Sequence, residues 1–251
     1  FYSSRSMRPL RQRLLTSRWV RALIAKGRSH AKLMRAMRWG GKDAVPGHCV
    51  GAEAPALKEN LVLQESSVEQ IFTIPGAFTE EEAASLVSRA ESQGFELQTS
   101  RGPAYGEAER HHYRLSFDDA TYAAGLWNTL RRSLESLRVK GRGPVGLNEN
   151  IRIYKYLGGD VFGKHIDGSN ATALGRTEYT LLVYLTGREE GLEGGETVFY
   201  SLSEVEVLRV TPQAGMALVH RHGHGRCLLH ESLPVRKGVK YVLRSDVVFE
   251  H

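Results

Sequence analysis

The chain has 251 residues, of which 41% are hydrophobic and 25% charged, as expected of one large globular domain or one domain with an added arm. No apolar run is long enough to cross a bilayer, and two cysteines are too few for a disulfide framework, so transmembrane and disulfide-rich classes are excluded. The low cysteine count favours a reducing intracellular compartment. The net charge of +6 does not indicate a nucleic-acid-binding domain, because the positive excess lies at one end of the chain.

That end is a basic segment, residues 1–42, with nine Arg, three Lys and no acidic residue, giving +12. The rest of the chain holds 22 basic and 28 acidic residues, giving −6. An Arg- and Ser-rich segment without acids is typical of an organellar transit peptide, although a solvated disordered tail has the same composition. Nucleic acid would be expected to bind only through this arm. Residues 43–67 are aperiodic and predict a linker, and residues 68–251 are predicted to form the folded domain.

Two helices are predicted in the first half of that domain. Thr79 and Glu82 form a capping-box pattern that starts the first helix, and Gly94 is a plausible end. Apolar spacing predicts the second helix over about 118–138. Between them, 95–117 is predicted to be a polar loop and a candidate lid beside an active site. This loop carries a basic and aromatic cluster composed of Arg110, His111, His112, Tyr113 and Arg114.

The second half of the domain is predicted to be a succession of short strands separated by Gly, Pro or charged turns. These strands cover 177–186, 194–200, 204–210, 215–220 and 239–249. Strands at this spacing predict a sandwich or barrel. The predicted fold class is therefore mainly β with flanking helices on the N-terminal side, an α+β arrangement.

Chemistry is concentrated at the end of the stretch Ile151–Asp167, where His165 and Asp167 are two residues apart. On a strand they would share a face about 7 Å apart and could converge on one ion. Such a pair is weak evidence alone, and a catalytic metal needs a third ligand. Two histidines and one carboxylate form the facial triad, which suits iron(II) and leaves coordination positions open.

The third ligand must be chosen among four histidines in HRHGHGRCLLH: His220, His222, His224 and His230. The first three are interleaved with or border on glycines, so we expect them in a turn, facing water. His230 ends the apolar run of Cys227, Leu228 and Leu229, where packing would fix its position as a ligand requires. We therefore predict His230 as the third ligand.

A cation on the last strand is the other candidate binding group. Lys240, Val242 and Arg244 share one face of this predicted strand. A cation that points into a barrel is costly unless it meets an anion, so either Lys240 or Arg244 could bind an acidic cosubstrate. They lie about 13 Å apart by strand rise, so one small dicarboxylate would not engage both.

Several motifs together resemble the iron(II)- and 2-oxoglutarate-dependent dioxygenases, and most closely their prolyl 4-hydroxylase branch. The matching stretches are RIYKYLGGDVFGKHIDGS, TEYTLLVYLT, EGGETVFY and HESLPVRKGVKYVLRSDVVF, and the resemblance covers about residues 70–249. It implies a double-stranded β-helix, a jelly-roll or cupin-like barrel with N-terminal supporting helices and a metal at its open end.

The resemblance also implies roles for individual residues. Iron would be held by His165, Asp167 and His230. Lys240 would pair with the far carboxylate of 2-oxoglutarate, Tyr156 could hydrogen-bond that carboxylate, and Thr180 would line the same pocket. Arg244 remains the alternative partner for the carboxylate.

By the same resemblance, the expected activity is a dioxygenase that uses Fe(II), 2-oxoglutarate and O2, with ascorbate as a further cofactor, to hydroxylate a substrate C–H bond. The expected substrate is a prolyl or other side chain of a peptide or protein. Two alternatives stay open: the same chemistry on a free small molecule or a modified nucleic-acid base, and a non-catalytic jelly-roll binding module.

Overall fold

A computed structural model describes residues 53–223 and 225–250, which lie in one compact unit, Val45–His251. The predicted arm, residues 1–42, is outside the described residues. The described residues contain two α-helices, α1 (Glu80–Gln93) and α2 (Ala120–Leu134), and neither is long and apolar enough to cross a membrane.

The remaining regular structure in this described part of the chain consists of strands and two short 3₁₀ turns. The strands are β1 (Gln64–Glu65), β2 (Ile71–Ile74), β3 (Glu96–Thr99), β4 (Arg110–Asp118), β5 (Pro144–Leu147), β6 (Asn150–Tyr156), β7 (Val161–His165), β8 (Ala171–Thr172), β9 (Gly175–Tyr184), β10 (Glu193–Gly194), β11 (Thr197–Tyr200), β12 (Glu206–Val210), β13 (Ala217–Arg221), β14 (Leu229–Ser232), β15 (Val235–Lys237) and β16 (Lys240–Phe249). The 3₁₀ turns cover Pro103–Tyr105 and Arg188–Glu190.

The strands form one large curled sheet in which neighbouring strands pair antiparallel. Its path, β1-β2-β13-β9-β16-β6-β4-β7-β14-β11-β12, contains two four-stranded halves. One half is β13-β9-β16-β6, the other is β7-β14-β11-β12, and β4 connects them. Strands β10 and β15 pair separately beside them. This arrangement confirms the predicted mainly-β jelly roll with supporting helices.

The two faces of the first half bury different partners because side chains alternate along each strand. Leu181 and Val183 of β9 pack in the same core as Leu126 of α2. Tyr184 of β9 instead belongs to a second core that includes Phe199 of β11, in the opposite half. The helices therefore cover the outside of one half, while the space between the halves forms the interior of the barrel.

Helix α1 confirms its sequence signals. The Thr79 side chain accepts a hydrogen bond from the Glu82 backbone, and the Glu82 side chain accepts one from the Thr79 backbone. Gly94 follows the last turn at φ 87°, a conformation that favours glycine. Helix α2 is somewhat shorter than predicted, with Asp119 as its N-cap.

The predicted loop over 95–117 is wrong for most of its length. Strands β3 and β4 occupy much of it, pair with each other, and are separated by residues 100–109. On β4 the side chains alternate, so His112 is buried while its neighbour His111 is exposed. Polar residues on the buried face of β4 hid the strand pattern in the sequence.

Part of the predicted linker, 43–67, is described from residue 53 onward and packs against α2. The hydroxyl of Thr129 donates a hydrogen bond of 2.8 Å to the carbonyl of Pro55, and the hydroxyl of Ser133 donates one of 2.8 Å to the carbonyl of Leu61. These contacts hold the stretch from Pro55 to Leu61 on the outer surface of the helix.

Candidate metal and cosubstrate site

The three predicted metal ligands come together at one end of the barrel. His165 is the last residue of β7 and pairs directly with His230 of β14. Asp167 lies two residues beyond the end of β7, so the pair is not on one strand as the sequence predicted. One donor atom from each of the three lies within 4.8 Å of the other two, a spacing that a single ion can bridge.

Both imidazoles are oriented by the backbone. Nδ1 of His165 donates a hydrogen bond of 2.8 Å to the Gly163 carbonyl, and Nδ1 of His230 donates one of 2.9 Å to the Leu228 carbonyl. Because a carbonyl only accepts, the proton of each neutral ring is on Nδ1 and the lone pair is on Nε2. Nε2 of His165 lies 3.8 Å, and Nε2 of His230 lies 3.6 Å, from the Asp167 carboxylate.

The protonation states also suit a metal. Burial lowers the pKa of His165 to about 3, and burial likewise lowers the pKa of His230. Burial by itself would raise the pKa of Asp167, but Arg244 and the nearby imidazoles outweigh it and hold that pKa well below its usual range. Two neutral imidazoles and an ionised carboxylate result, the donor forms that metal binding requires.

Two further side chains hold the Asp167 carboxylate. The Thr180 hydroxyl donates a hydrogen bond of 2.7 Å to Oδ2, and Nη1 of Arg244 donates one of 2.9 Å to Oδ1. The second Nη of Arg244 lies 3.4 Å from Asp246. Thr180 and Arg244, both predicted near the cosubstrate, therefore contact a predicted metal ligand. No local pattern in the sequence indicates these contacts, because they join residues that are distant along the chain.

The donor set fits the metal that the sequence predicted. Two imidazoles and a carboxylate on one side of an ion leave other coordination positions open, and this combination suits iron(II). The Phe162 ring stacks on the His165 imidazole at 3.7 Å between centroids, which restrains its plane. Ile166, between His165 and Asp167 in the sequence, is 51% exposed, whereas Asp167 and His230 are buried.

Lys240 lies deeper in the barrel and is 2% exposed. Its Nζ donates hydrogen bonds of 2.7 Å each to the Gly195 carbonyl and the Ser232 hydroxyl. It lies 5.0 Å from the centroid of the Tyr156 ring, and no carboxylate of the described residues is within ion-pair distance. Burial lowers the pKa of Lys240 to about 7. The ammonium is thus buried against neutral oxygens and the rings of Tyr156 and Tyr184.

Gly195 is required for this close packing. A Cβ at this position would lie 2.9 Å from Cδ of Lys240, and the backbone adopts φ +70°. Gly195 is part of the EGGETVFY motif, but its contact with Lys240 was not predicted. The contact of Ser232 with Lys240 was not predicted either.

Two of the rejected histidines are not in a solvent-exposed turn, so that prediction is wrong. His220 is in β13 and 1% exposed, and His222 directly follows the strand and is fully buried. Both ring nitrogens of His222 are 3.0 Å from threonine hydroxyls, those of Thr177 and Thr180. His224 lies outside the described residues.

Comparisons with known proteins agree with this geometry. Residues 151–245 match the family model described as the 2OG-Fe(II) oxygenase superfamily. No protein with a curated description matches significantly.

The fold is similar to solved prolyl hydroxylases. The viral collagen prolyl hydroxylase of Paramecium bursaria Chlorella virus-1, solved with 2OG, is 21% identical with a TM-score of 0.51, covering 73% of this chain and 97% of that one. A Pseudomonas putida prolyl-4-hydroxylase is 16% identical with a TM-score of 0.53, covering 72% and 94%. A Trichoplax adhaerens prolyl hydroxylase, in complex with a hypoxia inducible factor peptide, is 18% identical with a TM-score of 0.51, covering 71% and 83%.

Proposed function

We propose that this 2-oxoglutarate-dependent dioxygenase, whose residues 151–245 match the model of the 2OG-Fe(II) oxygenase superfamily, acts on a prolyl or other side chain of a peptide or protein. We further propose that His165, Asp167 and His230 hold the iron. Bound there, Fe(II) together with O2 and 2-oxoglutarate supplies the oxidation that turns a substrate C–H into C–OH and the cosubstrate into succinate and CO2.

The observation that carries the assignment of the cosubstrate is the link between the metal donors and the buried ammonium. His230 and Ser232 are two residues apart on β14 and face the same side. His230 points at Asp167, and Ser232 accepts a hydrogen bond from Lys240. A keto diacid has one end that chelates a metal and a second carboxylate that needs a cation. This arrangement offers a partner for each end.

Lys240 rather than Arg244 is proposed to bind the far carboxylate. The guanidinium of Arg244 already has Asp167 and Asp246 as partners. The ammonium of Lys240 has only neutral partners, so an incoming carboxylate would supply its missing counter-charge. Tyr156, whose ring lies beside the ammonium, is proposed to donate a hydrogen bond from its hydroxyl to the same carboxylate.

The choice of a peptide rests on the resemblance to prolyl hydroxylases and on the exposed segment beside the site, where Ile166 is 51% exposed between His165 and Asp167. An extended peptide would bind along that exposed segment. The rest of the barrel interior is closed by side chains such as Tyr184 and Phe199, both fully buried.

The test is succinate release from 2-oxoglutarate in the presence of Fe(II) and ascorbate, with a proline-containing peptide, a free amino acid or methylated DNA as the acceptor. We expect release to rise with the peptide, and mass spectrometry to find a peptide product that has gained one oxygen atom. The variant His165→Ala should release none. Stimulation by the amino acid or the DNA alone would overturn the peptide proposal. Binding of Mn(II) and 2-oxoglutarate without turnover of any acceptor would make the protein a binding module.

A further inference from the structure

One face of β4, beside the proposed metal site, carries buried polar atoms that no described residue satisfies. Arg110 and His112 share this face, because they are two residues apart and side chains alternate along a strand. The Nε of Arg110 and the Nδ1 of His112 are buried, and neither makes a hydrogen bond with any described residue. Buried polar atoms without a partner are uncommon in folded proteins, so two of them on one face indicate a binding position for a ligand.

Both side chains contact Phe162, which connects them to the metal site. Cζ of Arg110 lies over the Phe162 ring, 4.5 Å from its centroid, and the centroid of the His112 ring is 5.4 Å from the same point. Phe162 in turn stacks on the imidazole of His165 at 3.7 Å between centroids. Arg110 therefore packs on the same ring that packs on a proposed metal ligand.

The guanidinium of Arg110 has no counter-charge within the described part of the chain. The carboxylates on neighbouring segments already have other partners. Glu107, whose pKa is lowered by Arg101 and more weakly by Arg110, forms its hydrogen bonds with Arg101. Asp160 pairs with His111, on the other face of β4, at 2.7 Å. Arg110 is thus a partly buried cation that is free to bind an external anion.

The neighbours of Arg110 on this face strengthen its attraction for an anion. Arg114 lies beyond His112 on the same face and likewise forms no ion pair with a described residue. Burial, with the two arginines in addition, lowers the pKa of His112 to about 4, so the ring between them is neutral. The anion that best fits a guanidinium is a carboxylate, which accepts two parallel hydrogen bonds from it.

We propose that Arg110 is a specificity-determining residue that binds a carboxylate side chain of the substrate, so that the preferred substrate is an acidic peptide. This inference rests on the proposed function, since it takes a peptide to be hydroxylated beside His165. An extended chain rises about 3.3 Å per residue, so an Asp or Glu within about three residues of the reacting side chain would reach the guanidinium. The two unpaired cations then have separate tasks, because Lys240 lies beside Tyr156 and Arg110 beside Phe162.

The test uses the full chain with Fe(II), 2-oxoglutarate and peptides that are capped at both ends. Each peptide has a central proline and one Glu at one to three residues from it, and its matched partner has Gln at the same position. The kcat/KM for the best Glu peptide should exceed that for its Gln partner about 10- to 100-fold, as expected for a charge-assisted contact. Calorimetric binding of both peptides to the protein with Mn(II) and 2-oxoglutarate should show a similar ratio.

Two variants separate recognition by Arg110 from a structural role. Arg110→Gln should remove the preference for Glu, mainly through KM, and leave the Kd for 2-oxoglutarate unchanged. Arg110→Glu should favour a peptide with Lys at that position, an inversion that a loss of packing would not produce. The matched control is Arg89→Gln, which changes an exposed arginine of α1 and should keep the full preference for Glu.

Equal use of the Glu and Gln peptides by the wild type would overturn the proposal, and this comparison does not depend on the folding of any variant. A preference for Glu that persists in Arg110→Gln would also overturn it. So would a raised Kd for 2-oxoglutarate in that variant with both peptides used as in the wild type, which would assign Arg110 to the cosubstrate. If no peptide is oxidised while a free amino acid or methylated DNA is, the proposed function fails and this inference with it, a result distinct from equal use of two peptides.

Discussion

Two cations on the same face of β16 differ in what neutralises them. Arg244 donates to Asp167 at 2.9 Å and lies 3.4 Å from Asp246, so its charge is compensated within the fold. Lys240, four residues earlier, is equally buried but donates only to two neutral oxygen atoms. Burial tends to lower the pKa of both; the carboxylates reverse this for Arg244, whose pKa is raised, whereas that of Lys240 falls to about 7.

The difference separates a structural cation from a binding cation. A buried charge with a carboxylate partner is compensated before any ligand arrives, while one without such a partner gains most when an anion binds. Arg244 should therefore matter to the stability of the unliganded protein, and Lys240 to its affinity for 2-oxoglutarate.

The largest effect on stability is expected from Arg244→Met. This change leaves Asp167 as a buried carboxylate without a cation, and breaking such a pair costs about 3 kcal/mol or more. Urea unfolding of the metal-free protein should show this loss. Because a divalent ion can replace the missing charge, saturating Mn(II) should restore more stability in the variant than in the wild type.

The control for this change is Arg152→Met. Arg152 is on β6, opposite Arg244 in the pairing of β6 with β16. Arg152 is only partly buried and its Nε donates to the Asn150 side chain, so the loss should stay within about 0.5 kcal/mol. Equal losses for the two variants would remove the distinction between Arg244 and an ordinary arginine.

For Lys240→Met the expectation is reversed. The apparent Kd for 2-oxoglutarate should rise on the order of 100-fold, because a charge-assisted contact in a buried site is lost. Stability of the unliganded protein should change by about 1 kcal/mol or less, since the cost of burying an ammonium disappears along with two hydrogen bonds. Calorimetric titration and urea unfolding measure the two quantities.

Lys237→Met serves as the matched control, because that exposed lysine pairs with Glu193 at the surface. It should leave the Kd for 2-oxoglutarate unchanged. A strongly destabilised Lys240→Met with normal cosubstrate affinity would invert the roles assigned to the two cations of β16.

The low pKa of Lys240 predicts a pH dependence of binding. Only the ammonium pairs with a carboxylate, so above about pH 7 binding requires proton uptake, and the Kd for 2-oxoglutarate should rise about tenfold per pH unit. The metal ligands do not interfere, because the pKa of His165 is about 3. Glu196 is the charged group that acts on Lys240, and it opposes the lowering.

The unliganded protein should show the matching trend in stability. The pKa of Lys240 is about 7 in the fold and 10.5 ordinarily, so between these values the unfolded chain binds more protons. The contribution of this group to stability therefore increases as pH rises through that window. Lys240→Met should abolish this contribution and flatten the rise in Kd. A wild-type Kd that is constant between pH 7 and 9 would contradict the assignment.

The sequence predicted the parts of this site that depend on local pattern. Capping signals located α1, and the order of His165, Asp167, His230 and Lys240 matched a known family, so the fold and the donors could be expected. The partners of Arg244 could not, because they depend on which strands face each other across the barrel. Nonlocal pairing leaves no periodic signal in the sequence.

His220 shows how a local rule failed. Nearby glycines indicated a turn, but β13 extends through Arg221, and side chains alternate along it. Leu218 points into the barrel, and by the period of two His220 does as well. Extending the alternation from Leu218 to His220 would have predicted that the His220 side chain points into the barrel. The glycine signal outweighed this pattern because the strand ends only one residue later.

The smallest expected effect concerns Tyr156, whose ring lies beside the Lys240 ammonium. Tyr156→Phe keeps the ring that lies 5.0 Å from the Lys240 Nζ and removes the hydroxyl, so one hydrogen bond to the cosubstrate is lost. One such bond corresponds to a rise of about 3- to 10-fold in the Kd for 2-oxoglutarate. Tyr184→Phe is the matched control, because its ring lies 5.8 Å from the same Nζ but its hydroxyl bonds Thr197 at 2.7 Å. Equal changes in both variants would mean that the effect comes from the packing around the ammonium, and Tyr156 would have no direct contact with the cosubstrate.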